Sequence, residues 1–195
     1  MPRRNVVRGE GETRQRILDA AIRHFAQASY DEVGLREISA DVGVDVAYVH
    51  RSFGSKEQLF QEVLDVAGAG VGISEEARDE LAMSLTNHLF DRTHAKAAHG
   101  GEPLLLLIRS LTSQKAGRLS GAQLERDFIE PIRAKLGDAD AFRSTIVMSL
   151  LIGLSIMRNL LELPGATEVN VEEARMMVAN VIQGIVDLKP GQDGA

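Results

Sequence analysis

The side chains best equipped for chemistry in this chain are its histidines, and His88, His94 and His99 lie close together beside Asp91. Imidazole nitrogens and a carboxylate can hold a transition metal, provided that three or four of them converge on one point. On a helix His88 and His94 stand about 240° apart, so they do not converge; they read as surface histidines. The stretch HGGE, residues 99 to 102, resembles part of an esterase oxyanion hole, but no Gly-x-Ser-x-Gly elbow accompanies it, so it reads as a loop. The chain also lacks a Walker loop, a dinucleotide-binding glycine fingerprint and a His-Glu-x-x-His pair. It has no cysteine, which removes thiolate catalysis, disulfides and Cys-type zinc sites together. The expectation is therefore no catalytic residue, no metal and no cofactor.

At 195 residues, 44% hydrophobic and 26% charged, the chain suits one large or two small globular domains and neither a disordered nor a fibrous class. The longest nearly apolar run, Ile146 to Met157, is too short to span a bilayer, and the N-terminal stretch MPRRNVVRGEGE has arginines but no apolar signal core. With the missing cysteine, this predicts a cytoplasmic protein with no membrane contact. The net charge of −6 is unevenly placed. Residues 1 to 23 hold six Arg against Glu10, Glu12 and Asp19, giving +3; residues 1 to 60 hold nine basic and nine acidic side chains, so residues 61 to 195 carry 13 against 19. A front end able to approach phosphates and a rear with another task fit that division.

The elements that must position these groups read as helices throughout. Apolar residues from Ile17 to Phe25 recur at helical spacing, with Thr13 as the expected N-cap. A second helix spans Leu35 to Val42, a third runs from the cap Asp45 to about Arg51, and Ser55 with Gln58 forms a capping box for a fourth that reaches about Ala67. The stretch AGAGVGIS, residues 67 to 74, marks a domain boundary. Further helical patterns occupy about 75 to 97, 103 to 115, 119 to 136, 138 to 163 and 171 to 188, broken at Gly100-Gly101, Gly117, Gly137 and Pro164-Gly165. No stretch alternates with period two, so the fold class is all-α. The expected organisation is a flexible basic arm over 1 to 12, a helix-turn-helix domain over 13 to 68, a helical effector-binding and dimerisation domain over 74 to 188, and a disordered tail over 189 to 195.

The second and third helices are too short to bury an apolar face alone, and Gly43 between them supplies a left-handed residue without a Cβ clash. Packed under the first helix through Ile38, Val42, Val44, Val49 and Phe53, they form a helix-turn-helix whose third helix is set at an angle that fits a DNA major groove. An ordinary helical hairpin inside a core is the competing reading of these residues alone. The run TRQRILDAAIRHFAQASYDEVGLREISADVGVDVAYVHRSFGSKEQLFQEVL, residues 13 to 64, decides between them: it resembles the tetracycline-repressor family of bacterial transcription regulators. It carries the Ile-Leu-x-Ala-Ala-x-x-x-Phe pattern of the first helix, Tyr30, Ile38, the Gly43-Val44 turn, Phe53 and the Ser55-Lys56-Glu57 start of the fourth helix.

The resemblance implies a non-enzymatic regulator that binds double-stranded operator DNA. Asp45, Val46, Ala47 and Tyr48 would then face the groove, with Tyr48 donating a hydrogen bond or covering a thymine methyl. Arg36, His50, Arg51 and Lys56 would meet phosphates, Lys56 aided by the positive end of its helix. The chain departs from the family pattern in having His50 where a phosphate-binding Tyr is usual and Asp45 where Ser is commoner. Tyr48 and Val46 also stand where smaller or more polar residues are frequent.

In the rear, FRSTIVMSLLIGLSIMRNLL, residues 142 to 161, is apolar nearly all round and needs covering on two sides. Thr145, Ser149 and Gly153, spaced by four, form a small-residue stripe, and with Met157, Val178 and Ile182 they are the expected homodimer surface. The resemblance implies a four-helix bundle there and an inverted-repeat operator. An apolar surplus around EPLLLLIRSLTS, residues 102 to 113, predicts a cavity for a small, largely apolar effector, lined by Leu81, Leu85, Leu105, Ile108, Phe128 and Met148, with His88 and Arg109 orienting it. Binding there is expected to release DNA, as for a repressor. The competing classes are a protein-binding helical adaptor without sequence-specific DNA binding, and a ligand carrier or enzyme.

Overall fold

The computed structural model describes residues 4–68, 80–90, 103–137 and 141–188, with the side chains of residues 4–10, 103 and 105 outside the description. Asp91, His94, the 99–102 loop, most of the glycine boundary at 67–74, the break at Gly100-Gly101, the tail from 189 and the side chain of Leu105 therefore lie outside the described residues. Among the described residues every regular element is a helix, so the fold is all-α. In chain order the α-helices are α1 (Arg4–Gln27), α2 (Leu35–Val42), α3 (Val46–Phe53), α4 (Lys56–Gly68), α5 (Leu81–Phe90), α6 (Pro103–Ser110), α7 (Gln114–Leu124), α8 (Glu130–Leu136), α9 (Phe142–Ser155), α10 (Pro164–Thr167) and α11 (Val171–Asp187), with π-helical turns over Glu125–Ile129 and Ile156–Leu160. The chain forms two compact units, Met1–Ala69 with Ala95–Ala122 and Gly70–His94 with Gln123–Ala195.

Local chemistry sets most of the boundaries. Ser55 and Gln58 cap α4 reciprocally: the Ser55 N–H donates to the Gln58 amide oxygen at 2.9 Å, and the Gln58 N–H donates to the Ser55 hydroxyl at 3.2 Å. At α2 the Glu37 carboxylate accepts the Gly34 N–H at 2.9 Å; a glycine has no side chain to return the bond. Two expected boundaries are corrected. Helix α1 begins at Arg4 rather than at Thr13, which lies inside it. Gly117 does not break a helix but lies within α7, because the break falls at 111–113, where Ser113 is the N-cap: its carbonyl accepts the Gly117 N–H at 2.8 Å and its hydroxyl faces the Ala116 N–H at 3.4 Å. A serine cap outweighs one helical glycine, which costs about 1 kcal/mol relative to alanine. Gly137 ends α8 in the left-handed region at φ 64°, as its position predicted. Between α7 and α8 the chain makes a π-helical turn over Glu125–Ile129, with the Glu130 N–H bonded to the Glu125 carbonyl. Pro131 follows and has no N–H of its own to give, which relieves the ladder of one bond at that point.

The first unit has one continuous core. Ile17, Ala21, Ile22 and Phe25 of α1 meet Ile38 and Val42 of α2, Val49 and Phe53 of α3, and Leu59, Phe60 and Val63 of α4. Leu106 of α6 and Ala116 of α7 complete it. Phe25, Tyr30 and Phe60 form a three-ring cluster with centroids 4.9 to 5.8 Å apart, each pair worth about 0.5–1.5 kcal/mol beyond its buried area. The second unit packs Leu81, Leu85, Leu89 and Phe90 of α5 against Val147, Met148 and Leu151 of α9, Ile132 and Leu136 of α8, and Ile182 and Val186 of α11.

Candidate nucleic-acid interface

The turn between α2 and α3 is built on Gly43, at φ 76° and ψ 36°. Its N–H donates to the Ala40 carbonyl at 3.2 Å and the Val44 N–H to the Ser39 carbonyl at 2.9 Å, so the carbonyls at the end of α2 are satisfied as the chain reverses. Asp45 then caps α3, its carboxylate accepting the Ala47 N–H at 2.7 Å. Val49 and Phe53 are buried and anchor the helix. Ala47, His50 and Arg51 are exposed, while Val46 and Tyr48 are half-buried. The Arg51 guanidinium lies 5.7 Å from the centre of the Tyr48 ring, so Ala47, Tyr48 and Arg51 share one outward face of the helix.

Beyond α3 the chain turns on Gly54, at φ 79° and ψ −83°. This is a γ-turn of the rare positive-φ kind, closed by the Ser55 N–H bonding the Phe53 carbonyl at 3.1 Å. The Gly54 carbonyl sits 2.9 Å from His50 Nδ1. The capped first turn of α4 follows at once, and its free N–H groups and dipole favour an anion. Lys56 opens that helix, half-buried, with Nζ 4.3 Å from the centre of the Tyr30 ring. Burial pushes its amine below the ordinary lysine value, with Asp31 pulling the other way. Arg36 is exposed on α2. All the residues expected at the DNA surface thus fall on α2, α3 and the start of α4, with Asp45 acting as a cap and Lys56 resting on a ring.

Sequence reasoning missed the work of the α1 arginines. Arg14 makes a two-pronged pair with Glu62 at 2.6 and 2.7 Å and lies 4.3 Å from the Phe53 ring centre. Arg16 donates to the Val42 carbonyl at 2.9 Å, and Arg23 to Asp41 at 3.0 Å. These side chains, which in sequence read as a phosphate-seeking surplus, tie α1 to α2, α3 and α4. Their seven-residue spacing from 16 to 23 puts both on one helix face, a signal that only a known packing direction for α2 would have made legible.

The residues expected to hold an effector are divided between the two units. Leu81, Leu85 and Met148 are buried together in the second unit, Phe128 packs against them and His88 is half-buried on α5. Ile108 and Arg109 belong to the first unit. Arg109 has its Nε engaged within that unit, donating to the Ala26 carbonyl at 2.9 Å, at the end of α1 where a cation suits the helix dipole. The same segment holds Ser113 against Asp31 at 3.1 Å and Lys115 against Glu57. A pair of arginines escaped notice altogether: Arg158 and Arg175 lie 4.9 and 5.6 Å from the centre of the Phe90 ring. No group of three metal-ligating side chains occurs among the described residues, and no helix there is long and apolar enough to cross a membrane.

The residues expected at a dimer surface differ in their exposure. Thr145 and Ser149 are exposed, their hydroxyls turned back to carbonyls one helical turn earlier at 2.9 and 2.8 Å, and a Cβ on Gly153 would meet nothing within 4 Å. Met157 is 48% exposed, and beside these Phe142, Met177 and Val181 stand 64, 69 and 49% exposed. Ile182 is a correction: it is wholly buried in its own unit's core, because α11 turns Met177 and Val181 outward and Ile182 falls on the opposite face. Val178 lies between, packed against that core.

Three helices on one core, with a glycine turn ahead of an anchored but outward-facing third helix, define a helix-turn-helix DNA-binding module. Residues 17–63 match the N-terminal model of the bacterial regulatory proteins of the TetR family, and residues 79–186 match the tetracyclin repressor-like C-terminal domain. The chain belongs to this family and is a non-enzymatic, DNA-binding transcriptional regulator. It is 36% identical over 61 residues to the HTH-type transcriptional regulator AcrR of Shigella flexneri, a match that covers 31% of this chain and 28% of that one. A TetR-family member from Streptomyces coelicolor A3 superimposes with a TM-score of 0.66 at 22% identity, over 88% of this chain and 98% of the other. A regulator from Chloroflexus aurantiacus J-10-FL gives 0.65 at 20% identity, over 90 and 96%. The multidrug binding protein EbrR, complexed with imidazole, gives 0.62 at 18%, over 92 and 93%. At these identities the solved structures speak for the fold.

Proposed function

We propose that the chain is a cytoplasmic repressor that binds an inverted-repeat operator as a homodimer and is released by a small, largely apolar ligand. The observation that carries the DNA half is α3 itself: Val49 and Phe53 fix it to the core while Ala47, Tyr48 and Arg51 are left on its outer side. Arg36, His50 and the N-terminus of α4 with Lys56 flank that face and take the phosphates, while Asp45 and Val46 shape the first turn of the reading helix. Residues 13 to 68 carry this task, helped by the basic residues of 1 to 12.

Residues 74 to 188 hold the effector and the second subunit. The exposed apolar strip along α9 and α11, with the small residues Thr145, Ser149 and Gly153 beside Met157, is what a partner copy would cover. Leu81, Leu85, Phe128 and Met148 are the apolar walls offered to a ligand, with His88 at their edge. The multidrug binding name carried by EbrR supports an effector of this broad class. Release requires a ligand that prefers the arrangement unable to bind DNA, since equal affinity for both arrangements shifts nothing. Linkage makes this testable: a compound that raises the melting temperature should bind more weakly when operator DNA is present. Stabilising ligands that leave operator affinity unchanged would exclude release by this route.

A further inference from the structure

We infer that operator binding takes up protons at His50. This rests on the proposed reading that the end of α3 meets DNA phosphates, and adds that only the doubly protonated imidazole can serve there. His50 is exposed on the last turn of α3, and its Nδ1 is 2.9 Å from the Gly54 carbonyl oxygen. A carbonyl only accepts, so Nδ1 carries the hydrogen. A neutral imidazole has a single N–H; here that donor is committed, and Nε2 presents a lone pair. A phosphate oxygen is also only an acceptor, so neutral His50 opposes it, whereas the imidazolium offers a charged Nε2–H and keeps the bond to Gly54.

The Gly54 carbonyl that Nδ1 faces is held in place by the γ-turn and by the Ser55–Gln58 cap that follows. No acid nearby supplies the partner that a phosphate would. On α3 itself the charged neighbours are Asp45, which caps the helix, and Arg51. On α2 they are Arg36, Glu37 bonded to the Gly34 N–H, and Asp41 bonded to Arg23 and 3.5 Å from His24. On α4 they are Lys56, Glu57 paired with Lys115, Glu62 paired with Arg14, and Asp65, which accepts from Gln61. On α1 Glu12 is exposed and Asp19 accepts from Gln15, while Arg16 is bound to the Val42 carbonyl. Among the described residues no carboxylate bonds His50, so a charge on the ring finds its counterpart only when DNA arrives.

The sign follows from linkage. Because a proton is taken up on binding, affinity is highest at low pH and falls as pH rises. The test uses the full-length protein and the duplex it selects from a random-sequence pool, at fixed ionic strength. Affinity should rise about tenfold from pH 8 to pH 6, one charge-assisted contact being of that order. His50→Gln should flatten this response, because an amide donates at either pH, and His24→Gln should leave it intact. Calorimetry of the unaltered protein in two buffers of different ionisation enthalpy counts the protons without any variant, and net uptake is expected. Tight binding with no pH response and no uptake overturns the inference while leaving the DNA reading in place. An unchanged response in His50→Gln also overturns it. Failure to select or bind any duplex at either pH removes both.

Discussion

Replacing Gly54 by Ala tests the geometry of the α3–α4 corner with an internal standard at Gly43. Both glycines have positive φ, 79° and 76°, but their surroundings differ. A Cβ on Gly43 meets nothing within 4 Å, so Gly43→Ala should lose only the left-handed backbone term, about 1–2 kcal/mol. A Cβ on Gly54 would overlap the Gln58 amide oxygen and come within 3.0 Å of its Cδ. Gln58 must then swing away and release the Ser55 N–H, losing a cap of about 0.5–2 kcal/mol on top of a γ-turn strain of about 1–3 kcal/mol. The total, about 2–5 kcal/mol, is a large part of a typical stability of about 5–15 kcal/mol. Urea unfolding followed by circular dichroism should place Gly54→Ala about 1–2 kcal/mol below Gly43→Ala. In a Gln58→Ala background the clash and the cap are already gone, so Gly54→Ala should cost only its backbone strain, and the pair should fall short of additivity by about 1 kcal/mol. Equal losses for the two glycines, or strict additivity with Gln58→Ala, would refute this account of the corner.

The other expectations divide by unit. Lys56→Ala should weaken binding to every DNA sequence and lower the salt slope by about one, the value for a single phosphate left without its cation, read from binding isotherms at several salt concentrations. Tyr48→Ala should instead alter which sequences are preferred in a selection from random DNA. Arg109→Ala should lower stability by about 1–3 kcal/mol, because the Ala26 carbonyl is deprived of its charge-assisted bond, and leave ligand affinity unchanged, measured by denaturation and by calorimetry on the same protein. Gly153→Arg should convert a sedimenting dimer to a folded monomer, since the space it fills is empty in the single subunit; a wild-type protein that is already monomeric at micromolar concentration would contradict the proposed interface.

The helix-turn-helix was legible in sequence because each of its decisions is local. Gly43, Asp45, Ser55 with Gln58 and the apolar spacing of Ile38, Val42, Val49 and Phe53 act within a turn or two of themselves, and the structure uses each as its type suggests. What could not be read depends on packing partners distant in sequence. Arg14 reaches Glu62, Arg109 reaches Ala26 and Ser113 reaches Asp31, and the side chains alone look no different from solvated charges or ligand groups. The placement of Ile182 failed for a related reason: on a helix apolar over more than one face, periodicity does not say which face meets the subunit's own core. His50 shows the limit within a local motif, since its type suggested a phosphate contact but its tautomer is set by the carbonyl that the Gly54 turn brings round to it.

The most direct test of the central claim is selection of bound duplexes from a random pool by the full-length protein, followed by footprinting of the winners. The expected result is enrichment of an inverted repeat whose two protected half-sites are centred about one helical turn apart, with the enriched sequence altered by Tyr48→Ala. A pool that stays random after repeated rounds at moderate salt, or an enriched sequence that Tyr48→Ala and Lys56→Ala leave unchanged in identity and affinity, would contradict it.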